Sequence, residues 1–324
     1  MIRVLEERSF PVSELVPLAS EASDGRVVRF RGADVVVRRA APDAFEGVDL
    51  VLSSAGASVS RELLPEAFAR GAVSIDNTSA FRMDDDVPLV VPEVNPHRIG
   101  EHERRGIIAN PNCSTIQLVV VLKPLHDLAG VRRVHVATYQ SVSGAGQAAV
   151  DELMAETRAP GEGRSYERTV FPHPIAFNAL PHIDVFRDDG DTKEEWKMRV
   201  ETRKILEADV ALHATCVRVP VVCGHSEAVW IETDRAIDPA EAREVLARAP
   251  GVTVVDDPSA NGYPTPVEIA GRDDVFVGRI RLDPTTPNGL ALWIVGDNLR
   301  KGAALNAVQI AERLVAAKRE ADAR

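Results

Sequence analysis

Only three cysteines, Cys113, Cys216 and Cys223, occur in the 324 residues, with neither a Cys-x-x-Cys pair nor a His-Glu-x-x-His run. So small and odd a set argues against a disulfide framework and fits a reducing cytoplasm. The eight histidines are scattered, so no structural metal site is expected. Long apolar runs are also missing. The central run Leu118 to Leu122 falls far short of the ~20 residues a membrane span needs. Residues Met1 to Arg8 include Glu6 and Glu7 and lack the apolar core of a signal peptide. Basic excess is lacking as well: 38 Lys and Arg against 49 Asp and Glu leave a formal net charge of -11. That balance argues against nucleic-acid or anionic-membrane partners, while a local basic pocket for a small anion stays compatible with it.

What is present is an ordinary globular mixture, 45% hydrophobic and 27% charged, of a length that suits two domains. Ile2, Val4 and Leu5 have the spacing of a short helix that Pro11 closes. Strand-like runs follow at Leu15–Leu18, Val27–Phe30, Val35–Val37, Asp49–Leu52 and Ala72–Asp76, with a helix expected over Ser60–Arg70. Continuous apolar strands separated by helices point to a parallel α/β sheet. An apolar helix is expected over Ile116–Leu128. Beyond Val131 longer strands appear, at Arg133–Gln140, His213–Pro220, Ala228–Thr233, Val275–Leu282 and Leu290–Val295. Between them runs a Pro-, His- and charge-rich connection, Ala159–Asp191. This half reads as a mixed or antiparallel sheet with helices on one face, and an amphipathic helix is expected over Lys301–Lys318. The expected fold is α/β: a Rossmann-like parallel-sheet domain from 1–112 and 301–324, and an α+β substrate and dimerisation domain from 113–300.

A dinucleotide-binding sheet normally opens with a strand and a glycine-rich turn whose amides meet the pyrophosphate. Here the first glycine is Gly25, and no helix follows it. The sequence therefore reads as starting inside the first helix of such a domain, short by a strand and phosphate loop of about 15 residues. Either the start is an internal methionine, or the loop is lost and the dinucleotide is held weakly.

Five residues are candidates to carry chemistry. Cys113, in Asn112-Cys113-Ser114-Thr115, stands where a helix begins, and the positive end of the helix dipole with its unpaired amides favours a thiolate. A buried structural cysteine is the alternative. His225, in Cys223-Gly224-His225-Ser226-Glu227, is expected in a turn, either as a proton shuttle beside a thiol or as a polar turn residue. Arg218 alternates with apolar neighbours and either faces solvent or holds a carboxylate in its planar fork. Glu194 and Lys197 have the i,i+3 spacing of a weak surface ion pair.

Taken together, the ordered blocks resemble aspartate-semialdehyde dehydrogenase over essentially the whole chain. They are Leu52-Ser53-Ser54-Ala55-Gly56, Asp76 to Arg82, Val90 to Asn95, Asn110 to Gln117, Gln140 to Gly146, Glu195-Trp196-Lys197, Cys216 to Pro220, Gly224 to Glu227 and Gly296 to Ala304. The resemblance implies Cys113 as nucleophile and His225 as acid/base. It implies Gln140, Glu194 and Arg218 for the amino-acid end of the substrate, and Arg82, Asn112 and Lys197 for phosphate. Ser53, Ser54, Gly56, Ser143, Gly144 and Asn298 would meet a nicotinamide cofactor, with Ser20 and Ser23 near its ribose phosphate. The family often reads Ser-x-Arg-Ser there, whereas this chain has Ala22 and a nearby Asp24, which weakens the expected NADP preference.

The implied reaction is reversible, NADPH-dependent reductive dephosphorylation of L-aspartyl 4-phosphate to L-aspartate 4-semialdehyde and phosphate. It feeds diaminopimelate and lysine, threonine, methionine and isoleucine biosynthesis. The implied assembly is a homodimer or dimer of dimers. Two rivals stand beside this reading. An N-acetyl-glutamyl-phosphate reductase runs the same chemistry on a longer substrate, but its cysteine usually follows Asn-Pro-Gly. A non-catalytic relative acting as a partner subunit would explain the short first domain.

Overall fold

The computed structural model describes residues 1–162, 166 and 168–322, so residues 163–165 and 167 of the expected connection lie outside the described part. The chain divides into two compact units, Met1–Pro111 with Ala303–Arg324, and Asn112–Gly302.

The first unit opens with helix α1 (Ile2–Glu7), as the apolar spacing requires. The expected strand at Leu15–Leu18 is reduced to β1 (Leu18–Ala19), because Pro17 offers no N–H to a ladder and the strand begins only past it. β1 runs parallel to the short β4 (Arg38–Arg39), and between them β2 (Val27–Phe30) and β3 (Ala33–Val36) form a hairpin. The main sheet has three parallel strands in the order β5 (Leu50–Ser53), β6 (Val73–Asp76), β7 (Ile107–Ala109). Helix α2 (Ala57–Ala69) crosses from β5 to β6, starting three residues before the expected Ser60. The terminal helix spans Leu305–Asp322, preceded by a wide turn at Arg300–Ala304 where a helix from Lys301 was expected. Its Leu305, Val308 and Ile310 close a core with Val4, Leu5, Phe30, Ile75 and Ile108.

The second unit is a six-stranded mixed sheet covered on one face by helices. Helix α3 (Cys113–Ala129) leads to β8 (Val131–Gln140), and α4 (Gln147–Arg158) and α5 (Lys193–Leu206) precede β9 (Ala211–Arg218) and β10 (His225–Thr233). After α6 (Pro239–Arg248) come β11 (Val252–Val254), the short α7 (Pro266–Ile269), β12 (Val275–Leu282) and β13 (Gly289–Gly296). The strand order is β11-β12-β13-β10-β8-β9, with β8 parallel to β9, β11 parallel to β12, and the remaining pairs antiparallel. Residues Ser114 to Leu122 of α3 are all buried, which is why that helix reads as apolar on every side. α3 packs on β8, β10, β12 and β13, and α5 on β9. Among the described residues, no helix is long and apolar enough to cross a membrane.

Candidate active site

Asn112 starts the site. Its extended backbone lets the side chain turn back over the first turn of α3, where Oδ1 accepts from the N–H groups of Ser114 (3.0 Å) and Thr115 (3.2 Å). This is an N-cap, and it places Cys113, half-buried, as the first helical residue. Asn112 is itself held by two carboxylates two turns apart on α5. Its backbone N–H donates to Glu201 Oε2 at 2.7 Å, and Nδ2 donates to Glu194 Oε1 at 2.8 Å. Gly302 runs so close that a Cβ there would lie 2.8 Å from Cys113 Cβ, so this approach requires glycine.

The sheet supplies the rest from the residues that point under the helices. Gln140 ends β8 directly beside Arg218, which ends β9, and both are buried. Gln140 Nε2 donates to Glu194 Oε1 and to Thr138 Oγ1, each at 3.3 Å. Arg218 Nη1 donates to the Ser141 carbonyl at 2.8 Å. Burial draws the Arg218 guanidinium below its ordinary value, while Glu194 and Cys113 pull in the opposite sense. The expectation of a surface pair at Glu194 and Lys197 fails. α5 packs its first turns against β9, so Glu194 is buried and the Lys197 side chain is only 12% exposed. Lys197 Nζ bonds Glu194 Oε2 at 3.2 Å and Asp184 Oδ2 at 2.7 Å. Burial alone would lower the Lys197 ammonium, but Glu194 and Asp184 outweigh it and raise it.

His225 is the first residue of β10 and not a turn residue, because pairing begins at once opposite Gly296 and the turn is confined to the residues before it. It is fully buried. Its Nδ1 accepts from the Ser141 N–H at 3.0 Å and lies 3.1 Å from Ser141 Oγ, and its carbonyl accepts from Gln117 Nε2 at 3.3 Å. Nε2 has no hydrogen-bond partner among the described residues. Burial, and then the Arg218 charge, hold the imidazole well below its usual value. A Cβ at Gly144 would lie 3.0 Å from Arg218 Nη1 and 3.3 Å from His225 Nε2, so the backbone there passes directly over these two side chains. Beside it Asn298 Oδ1 accepts from Gly224 N (2.9 Å) and Ser141 Oγ (3.0 Å), and Asn298 Nδ2 donates to Ser143 Oγ at 3.0 Å.

One unit thus brings together Cys113, Asn112, Gln140, Ser143, Gly144, Glu194, Lys197, Arg218, His225 and Asn298. Arg82, Ser20, Ser23, Ser53, Ser54 and Gly56 belong to the other. Arg82 is buried and donates to the Asn77 carbonyl at 2.8 Å. Ser20 and Ser23 flank an exposed short turn, whereas the Ser53 hydroxyl is taken up at 3.1 Å by Ser60, which bonds Asp76. Sequence reasoning passed over Ser141, Asp184 and Glu201. Ser141 follows Gln140 directly and was within reach of a closer reading. Asp184 and Glu201 act only through tertiary contacts and leave no local pattern.

A thiol at a helix start, a buried imidazole and an arginine–glutamate–lysine cluster on a two-unit α/β chain point to an oxidoreductase of the semialdehyde dehydrogenase kind. Residues 1–102 match the family model for the semialdehyde dehydrogenase NAD binding domain, and 122–301 the model for its dimerisation domain. An aspartate-semialdehyde dehydrogenase of Aquifex aeolicus (strain VF5) is 57% identical over 317 residues, 97% of this chain and 93% of that one. The crystal structure of aspartate semialdehyde dehydrogenase II from Vibrio cholerae complexed with ASA matches with a TM-score of 0.94 at 49% identity, covering 97% and 93% of the two chains. A Candida albicans aspartate semialdehyde dehydrogenase with NADP matches with a TM-score of 0.74 at 25% identity, covering 97% and 94%. The chain belongs to the aspartate-semialdehyde dehydrogenase family. Identity at this level, over nearly the full length of both chains, stands against the N-acetyl-glutamyl-phosphate reductase and non-catalytic alternatives.

Proposed function

We propose that the protein converts L-aspartyl 4-phosphate to L-aspartate 4-semialdehyde and phosphate, reversibly, through a thioester on Cys113. The observation that carries this reading is the convergence of Cys113, His225, Arg218 and the Glu194–Lys197 pair on one end of one sheet. Cys113 Sγ attacks the acyl carbon and phosphate leaves, with Lys197 and Asn112 as the cationic and amide donors proposed for it. The assignment of Arg82 to the same anion rests on the family resemblance alone. Arg218 takes the substrate carboxylate in its fork, and Gln140 and Glu194 take the ammonium end, so the acyl carbon is presented to sulfur in one orientation. His225 gives a proton to the oxygen that gains charge as the thioester is reduced, then takes it back as the carbon–sulfur bond breaks.

The surface beside His225 fits a nicotinamide. At Gly144 the backbone comes close where a side chain would collide, and the Ser143 hydroxyl and Asn298 carboxamide lie alongside to meet a ring amide. When bound, the cofactor supplies the hydride. NADP is proposed over NAD because the Candida albicans relative carries NADP. Ser20 and Ser23 would meet its 2′-phosphate, and Ser54 and Gly56 its diphosphate region. Ala22 and Asp24 narrow the margin, which titration with NADPH and NADH measures directly. Self-association into a homodimer, or a dimer of dimers, belongs to the same proposal.

The test is a single-turnover mixture of enzyme, semialdehyde and NADP without phosphate. Acyl-Cys113 should accumulate in intact-protein mass spectra and discharge when phosphate is added. Turnover by Cys113→Ala would sink the thioester.

A further inference from the structure

Ser141 is wholly buried and makes two contacts with His225 Nδ1 that ask opposite things of the ring. Its backbone N–H, 3.0 Å away, can only donate, and so favours the tautomer with Nδ1 bare and hydrogen on Nε2. A neutral ring of that form offers a hydrogen bond at Nε2 but cannot receive a proton there. To exchange a proton at Nε2 the ring must keep hydrogen on Nδ1 in both states, neutral imidazole and imidazolium. That hydrogen needs an acceptor, and Ser141 Oγ lies 3.1 Å from Nδ1. The hydroxyl has somewhere to send its own hydrogen, since Asn298 Oδ1 lies 3.0 Å away. Asn298 is fixed in turn, its Oδ1 accepting from Gly224 N and its Nδ2 donating to Ser143 Oγ.

We infer that Ser141 is a positioning residue that selects the protonation state of His225: its hydroxyl, relayed to Asn298, holds hydrogen on Nδ1 and leaves Nε2 to exchange the substrate's proton. The inference rests on reading His225 as the acid/base. Arg218 on β9 is the charge that acts on the ring, with Glu194 on α5 and Cys113 at the head of α3 acting on Arg218; Glu227 lies two residues along β10 on the same strand face, and the Cys223 thiol lies 3.8 Å from Asn298 Oδ1. Replacing Ser141 changes none of these. Burial and Arg218 both disfavour the imidazolium and a backbone hydrogen bond with Gly224 favours it, so an acceptor at Nδ1 adds to the favourable side.

Ser141→Ala removes the oxygen and keeps the amide, and Ser141→Thr restores an oxygen. In ¹⁵N-histidine spectra of the whole enzyme, with His225→Asn for assignment, Ser141→Ala should move His225 to the Nε2–H tautomer. The acidic limb of kcat should fall by about one pH unit, the scale of one hydrogen bond to a charged group, with KM for the semialdehyde within about twofold. The threonine variant should return both. An unchanged tautomer and limb in the alanine variant, or equal behaviour of alanine and threonine, overturns the inference. Wild-type turnover by His225→Asn would instead remove the acid/base reading, while the spectra still decide what Ser141 does to the ring.

Discussion

The two faces of the six-stranded sheet are made from alternate residues of the same strands, yet they share almost no chemistry. Toward the helices point Thr138 and Gln140 of β8, Cys216 and Arg218 of β9, and His225 and Glu227 of β10, all buried. Toward the opposite side point Tyr139, Trp230 and Trp293, with His135 and His213 edge to edge at 6.1 Å. Tyr139 and Trp230 remain 38% and 37% exposed, which is much for large aromatics on a sheet. The period of two along a strand lets one element carry a buried polar cluster and an aromatic face that do not interfere. We propose that the aromatic face is where a second copy binds, in keeping with a dimerisation domain at 122–301.

The comparison is broken most severely at the sulfur. Cys113→Ala should lower phosphate-dependent NADP reduction by about four orders of magnitude or more, the scale of losing a nucleophile. Cys216→Ala should leave the rate within about twofold, as expected for a thiol used in packing. Cys216 is fully buried, and burial together with Glu194 pushes its thiol well above the usual range, so it stays protonated. Equal losses in the two variants would erase the distinction between a sulfur at a helix head and one within the sheet. Next comes Arg218→Leu. Losing a buried charge-assisted clamp should raise KM for the semialdehyde about a hundredfold, with a smaller change in kcat. A loss confined to kcat would place Arg218 in the chemistry and not in the clamp.

Trp230→Glu puts the opposite face to the test. Light scattering should show self-association weakened about thirtyfold, an ordinary loss for an aromatic anchor, with steady-state KM values held. A wild-type chain that is monomeric at all concentrations, or a variant that loses turnover without losing mass, would remove the division of labour between the faces.

How much of this was readable beforehand follows the range of the interactions. Helix α3 and strands β8, β12 and β13 show in the sequence because their apolar periodicity is local. Cys113 shows because an N-cap lies one residue before it. The Leu15–Leu18 strand fails on one residue, Pro17. His225 fell into a turn because Gly224 signals one, and only the pairing with Gly296 reveals the strand. Glu194 and Lys197 have the spacing of a solvent pair, and nothing within α5 announces that β9 covers them. The proposed catalytic grouping was therefore legible through the resemblance of many blocks, whereas the burial that gives each group its character was not.

The smallest effect sharpens the comparison from the helix-covered side. Glu227 is fully buried, neither carboxyl oxygen has a hydrogen-bond partner among the described residues, and Gln117 of α3 is the polar side chain facing it. Burial pushes its carboxyl well above the usual range. A carboxyl raised on folding binds more protons in the native than in the unfolded state, so it lowers stability as pH rises past the unfolded value near 4.5. Glu227→Gln keeps the shape and removes the titration. It should raise Tm at pH 7 by about 2–4 °C, roughly 1 kcal/mol for a unit of this size. The gain should shrink toward zero as pH falls to about 4.5, where both states hold the proton. On the aromatic face the Glu232 carboxylate is instead paired with Arg132 at 2.7 Å. A Tm gain for Glu227→Gln that is flat with pH would mean the carboxyl is ionised in place, and the helix-covered face would then tolerate charge as freely as the other.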